Sequence, residues 1–306
     1  MNILMLHDVR EFNEHFFPER YKLPYFLKPV QFDYLIKNLI NSNNKVLSLT
    51  ESIIINDETI DQNIQFLTFD DGLKDHLHIA HKLHKQNIRA SFFIPSGPVS
   101  ENSIIDSHKI QFILASTDPN SIVLFIRKSY NEYFNKPESD LDGFFISKWS
   151  NNIWSKEMVF VTRVLREFSD SIWKRDIINQ LFCKYVASDM KSFSSDFYLN
   201  IEDIFEIISL GHYIGGHGHY SFDLRYEDQK TIIKEIDEMD KFILQFNQNK
   251  KLYAYANGGY NDFVIEQILF RKYDYAFATG HRKVERTDPH WMIPRIDATK
   301  TKLVNV

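Results

Sequence analysis

The sequence predicts an α/β protein. Short apolar runs alternate with amphipathic stretches over the first hundred residues, and the alternation returns after residue 200. Such a pattern favours strands with helices packed over them. A third observation concerns where one run stops. It closes on Thr68-Phe69-Asp70-Asp71-Gly72, and ligands in open α/β folds bind at the carboxyl ends of strands.

The elements follow from the periodicity. Ile3–Leu6 is a short apolar run that fits a buried strand. Phe32, Leu35, Ile36, Leu39 and Ile40 recur at helical spacing, which predicts an amphipathic helix over Val30–Ser42. Val46–Leu49 and Ile64–Phe69 read as strands, Lys74–Gln86 as a helix, and Ala90–Ile94 as a strand stopped by Pro95. The next stretch differs. Ile104–Ala115, Ser121–Phe134, Ser155–Phe168 and Ser171–Ala187 carry helical patterns with almost no glycine. Ile201–Leu210 reads as a helix with Gly211 past its end. Tyr226–Gln245 and Asp262–Lys272 are further helices, and Leu252–Tyr255, Tyr275–Ala278 and Met292–Ile296 are short strands. Without a linker or repeat, 1–306 reads as one domain with a helical insertion at about 104–200.

Composition bounds the function. The chain of 306 residues is 43% hydrophobic and 25% charged, ample for a core. With 36 Lys and Arg against 41 Asp and Glu, the net charge of -5 argues against nucleic-acid binding through bulk electrostatics. The single Cys183 excludes an intramolecular disulfide framework and a cysteine-rich zinc site. No run approaches the ~20 apolar residues of a membrane span. The N-terminus lacks a basic leader, a long apolar core and a cleavage site, so the expected location is cytoplasmic.

Several of the ten glycines cluster beside acidic residues and histidines. In Asp70-Asp71-Gly72, one carboxylate could ligate a metal while the other holds or deprotonates water, or both could sit in an acidic turn at a helix N-terminus. Gly215-Gly216-His217-Gly218-His219 is a second cluster. Neutral imidazole suits zinc, and the i,i+4 spacing pairs His217 with Ser221 and His219 with Asp223. The alternative is an exposed, metal-free loop. Tyr255-Ala256-Asn257-Gly258-Gly259 ends an apolar run where free backbone N–H groups could meet an oxyanion, although a plain turn has the same pattern. His7-Asp8 follows the first strand. His76, His78, His81 and His84 read as a solvated helix face.

Taken together these motifs resemble the polysaccharide deacetylase (NodB-homology) family, carbohydrate esterase family four. Thr68–Gly72 matches the family's first motif, TFDDG. Ile214–Leu224 resembles the second, IG-x-H-[ST]-x-x-H-x-x-L, and Tyr253–Tyr260 resembles a third of the form YPYG or YPNG. Ser91-Phe92-Phe93-Ile94-Pro95 resembles the TFF-type strand between the first two. Leu4-Met5-Leu6-His7-Asp8-Val9 resembles the LMYHDV opening of members whose catalytic histidine motif lies at the N-terminus.

The resemblance implies a distorted (β/α) barrel of about seven strands. It implies that Asp71 and His217 ligate a divalent metal, usually Zn2+, that Asp70 is the general base, and that His7 is the general acid for the departing amine. A backbone N–H near Tyr255, with Asn257 in the same loop, would meet the oxyanion. Three departures stand out. Ser221 occupies the second metal-histidine position, which leaves His219, Ser221, Asp223 or water as the third ligand. Ala256 replaces the usual proline, and Ala254 replaces an arginine that holds the base in many members. Arg295 is the expected substitute partner for Asp70. Finally, the helical insertion falls outside the shared pattern.

The activity implied is metal-dependent removal of an acyl group, foremost acetyl, from the nitrogen of an amino sugar. Without an export signal, a glycan precursor of surface-polysaccharide biosynthesis is favoured over a mature wall polymer. Two other readings stand beside it: a carbohydrate-binding protein that kept the barrel and lost hydrolysis, and a barrel amidohydrolase acting on a small amide.

Overall fold

The computed structural model describes residues 1–10, 27–41, 45–47, 49, 64–145 and 155–304. Eight parallel strands form its sheet: β1 (Asn2–Leu6), β2 (Lys45–Leu47), β3 (Ile64–Asp70), β4 (Ser91–Ile94), β5 (Tyr213–Gly216), β6 (Leu252–Ala254), β7 (Tyr275–Thr279) and β8 (Ile293–Asp297). The order is β1-β8-β7-β6-β5-β4-β3, and β3 pairs back onto β1 from Asn2↔Gln65 to Leu6↔Phe69. Seven strands therefore close a parallel barrel, as the resemblance implied. The short β2 joins β3 outside the ring, at Lys45↔Ile64 to Leu47↔Phe66.

Period-two alternation sorts the strand residues between two cores. Ile3, Phe66, Phe93, Leu252, Ala254, Phe277 and Ile293 share the barrel interior. Their neighbours Leu4, Leu67, Phe69, Phe92, Ile214, Tyr253 and Ala276 join the outer core with helix residues. The helices that carry this outer core include α1 (Pro29–Asn41) and α2 (Asp75–His84). The interior is tight: a Cβ on Gly215 would stand 2.4 Å from the Phe93 ring. Because all strands are parallel, their carboxyl ends share one rim. Asp70 ends β3, and His217 follows β5.

Most predicted strands are present, with bounds shifted by a residue or two. Within the predicted helix Val30–Ser42 and strand Val46–Leu49, Ser42 and Ser48 lie outside the described residues. β5 was not anticipated. Neither were the short helices α3 (Ser96–Glu101) and α8 (Met190–Phe197).

The chain divides into two compact units, with the described residues 104–145 and 155–193 in the second. That unit is helical: α4 (Asp106–Ser116), α5 (Pro119–Phe134), α6 (Lys156–Glu167) and α7 (Ser171–Tyr185). Asp170 caps α7 by accepting the Trp173 N–H, and Trp173 packs among Tyr130, Phe134 and Phe168. In the barrel unit, α9 (Ile201–Ser209) leads into β5, α10 (Gln229–Leu244) follows it, and α11 (Asp262–Phe270) precedes β7.

Candidate active site

Asp70 and Asp71 leave β3 in different ways. Asp70 is the last strand residue and keeps the inward parity of Phe66 and Thr68. Asp71 has φ 78 and Gly72 has φ 65. Two successive left-handed residues break the alternation at the rim, and a non-glycine residue there stores backbone strain. The turn brings Asp71 Oδ1 to 3.4 Å from His217 Nε2.

Arg295, fully buried on β8, crosses the interior to Asp70. Its two terminal nitrogens donate to the two carboxylate oxygens, each at 2.7 Å. Nη1 also donates to Thr68 Oγ1 at 3.2 Å, and that hydroxyl donates to Leu4 O at 2.9 Å. The guanidinium lies 5.3 Å from the centre of the Phe93 ring. Burial alone would raise the Asp70 pKa. The cation of Arg295, then the nearby imidazoles of His217 and His7, outweigh it and hold the carboxyl below its ordinary range. The arginine expected from sequence as the partner of Asp70 thus lies in contact with it.

His217 Nδ1 donates to Ala254 O at 2.9 Å. A carbonyl only accepts, so this bond fixes the proton on Nδ1 and turns Nε2 to Asp71. Burial lowers the pKa of His217, but Asp70 and Asp71 more than offset it, and the net shift is upward. The Asp71–His217 separation suits two donors on one ion, because tetrahedral zinc with these bond lengths has a donor–donor edge of about 3.4 Å. Asp71 and His217 would hold such an ion. Among the described residues no group of three or more His, Cys, Asp or Glu assembles.

Two of the other ligand candidates, His219 and Asp223, are engaged elsewhere. His219 does not reach the pair, contrary to its expected role. Its Nδ1 lies 2.8 Å from Ser96 Oγ and its Nε2 3.3 Å from Glu101 Oε1. The cause is the loop backbone: the buried Glu235 carboxylate accepts the His219 N–H at 3.0 Å and both its oxygens accept the Tyr220 N–H. Asp223 holds Arg225 through Nε at 2.9 Å and Nη2 at 2.6 Å, and its side chain caps the turn Leu224–Tyr226. Ser221 is buried in a left-handed conformation, φ 56. The Tyr255 N–H is not available to an oxyanion, because it donates to Phe277 O at 3.0 Å, and the hydroxyl donates to Trp291 O at 2.8 Å. Asn257 is exposed with φ 53, in the turn Ala256–Gly258.

His7 follows β1 in the inward phase of Ile3 and Met5, near enough to Asp70 to lower its pKa. Its carbonyl accepts from His76 Nε2 at 3.1 Å. His76 was expected on a solvated face, yet it is fully buried against the stacked rings of Phe69 and Phe92. The signal was present in the sequence: His76 is in phase with Ile79, Ala80 and Leu83, the buried stripe of α2. Glu235 lies in the same way among the buried Ile232, Ile236 and Met239 of α10.

No protein-family model matches the chain, and no curated protein does. Solved structures do. The deacetylase PplD of Streptococcus pyogenes, in complex with acetate, is 16% identical with a TM-score of 0.59, over 97% of this chain and 91% of that one. The barrel of this chain is similar in fold to that structure. IcaB from Ammonifex degensii is 13% identical with a TM-score of 0.56, covering 99% and 93% of the two chains. A de-N-acetylase from Aggregatibacter actinomycetemcomitans is also 13% identical at 0.56, covering 98% and 95%. At these identities the likeness concerns the barrel.

Proposed function

We propose that this chain is a metal-dependent N-deacetylase acting on an N-acetylated amino sugar within a glycan or glycan precursor. The observation that carries the reading is the pairing at the barrel rim: Asp70 clamped by Arg295, and beside it Asp71 facing His217. A divalent ion held by Asp71 and His217 would supply water acidity and carbonyl polarisation. The chain's own residues do the rest. Asp70 accepts the proton of the attacking water, while Arg295 keeps the carboxylate ionised and aimed. His7 gives a proton to the departing nitrogen as the C–N bond breaks. The neighbours described as deacetylases support this reaction class.

The test is acetate release from N-acetylated amino sugars, offered free, nucleotide-linked and polymeric, with bound metal measured in parallel. Release should stop with a chelator, return with added metal, and fall at least a hundredfold in Asp70→Asn, the scale of a lost general base. No chelator-sensitive release across the panel would end the enzyme reading. One observation favours a second reading: among the described residues only two such donors meet at the rim, where catalytic zinc sites usually have three. A binding protein on this barrel would retain the sugars without bound metal and without releasing acetate.

A further inference from the structure

The residues after β1 are fastened to the start of α2. The Val9 N–H donates to Asp75 Oδ2 at 2.8 Å, and Arg10 Nη2 lies 3.0 Å from Asp75 Oδ1. One residue on, His76 Nε2 donates to the carbonyl of His7 at 3.1 Å. The ring of His76 is fully buried, with Phe69 centred at 5.5 Å and Phe92 at 5.7 Å. Among the described residues its Nδ1 has no hydrogen-bond partner.

A buried imidazole with one unpaired nitrogen is a costly way to fill an aromatic pocket. Phenylalanine would occupy similar space without a buried polar atom. What histidine adds there is one N–H aimed at one carbonyl. That carbonyl belongs to His7. With Leu6 set in β1, holding it fixes the backbone on both sides of His7, and therefore the direction in which the His7 side chain leaves the chain. The same helix begins just after the Asp70-Asp71-Gly72 turn. Acid and base are thus both referenced to the first turn of α2.

We propose that His76 is a positioning residue for His7, setting the orientation from which the acid protonates its leaving group. The inference rests on the deacetylase reading for its functional content. The helix first turn acts as a jig: Asp75 holds the backbone beyond His7, and His76 holds His7 itself.

The test compares two leaving groups. An N-acetylated amino sugar releases an amine that needs a proton, whereas an aryl acetate ester releases a weakly basic phenolate that does not. His76→Phe keeps the ring packing and removes the N–H. It should lower turnover of the amide by about tenfold more than turnover of the ester, a fraction of what general acids contribute. His76→Gln, which restores a donor, should recover most of the difference. In a His7→Ala background His76→Phe should add nothing. A merely structural role would lower both substrates alike, and that result overturns the proposal. A readout independent of turnover is the imidazole NMR signal of His7, assigned by its loss in His7→Gln. It should move in His76→Phe and return in His76→Gln; an unmoved signal also overturns the proposal. If the unsubstituted protein releases no acetate, the deacetylase reading fails by itself, and the NMR comparison still decides whether His76 orients His7. Asp75→Asn, which weakens the neighbouring tie, serves if His76→Phe does not fold.

Discussion

Arg295 and Asp70 bury two opposite charges with little access to water, and such a pair is stable only while both partners remain. Removing one leaves the other desolvated and unpaired. Arg295→Ala is therefore expected to cost about 3–5 kcal/mol in urea unfolding. The neutral pair Asp70→Asn with Arg295→Met should recover a large part of that loss, because neither group then carries an uncompensated charge. If the single substitution costs under about 1 kcal/mol, the charge reading of this pair is wrong. The same residues bear on activity. Arg295→Lys keeps the charge but loses the two-point grip, so the burial of Asp70 is less fully offset and the acid limb of the pH–rate profile should move to higher pH. An unchanged acid limb would remove Arg295 from the base's environment.

At the scale of elements, the rim depends on how helices start. Asn200 accepts the Asp203 N–H at 2.8 Å, and Asp203 accepts the Asn200 N–H at 2.8 Å, a reciprocal cap on α9. Lys74 also pairs with Asp203, so the cap joins α9 to the segment that follows the Asp70–Gly72 turn. Asn200→Ala should cost about 1 kcal/mol, and Asn200→Ser much less, in equilibrium denaturation. Equal losses would mean that the side-chain oxygen is not what the cap supplies. Elements also explain what the sequence concealed. Tyr213-Ile214-Gly215-Gly216 is half glycine and has weak strand propensity, so β5 is hidden until the Phe93 ring shows why position 215 must lack a side chain. The position of His219 was equally hidden. The His217/Ser221 and His219/Asp223 spacings describe a helix, whereas the loop runs through left-handed Gly218 and Ser221 and is held by Glu235, sixteen residues from His219. Asp70 and Asp71 were legible because they close an apolar run that reads as a strand, and His217 because the glycine and histidine cluster around it resembles a known motif. Arg295 was legible because Ala254 cannot hold the base.

The closure of the whole barrel has no local signature. The sequence marks strands one at a time, but the β1–β3 pairing that shuts the ring joins residues more than sixty positions apart. One consequence belongs to the molecule as a unit. The fold disfavours the charged form of two buried histidines, His212 and His76. His212 receives the Ala90 N–H on Nδ1 at 3.1 Å and donates from Nε2 to Ala80 O at 2.9 Å, so a second proton would break one bond. Burial, first of all, lowers its pKa from the ordinary 6.5, and burial does the same for His76. The sign follows from linkage. Well above pH 6.5 neither histidine is charged in either state, and they contribute no pH dependence. Below it the unfolded chain takes up protons that the folded chain refuses, so stability falls as pH falls. Each histidine contributes at most about 1.4 kcal/mol per pH unit in that window. His212→Gln keeps a donor and an acceptor without titrating. Its stability should therefore decline less than that of the unsubstituted protein between pH 7 and pH 5.5, by about 1 kcal/mol in urea titrations. Parallel stability–pH curves for the two proteins would show that His212 titrates alike in the folded and unfolded chain.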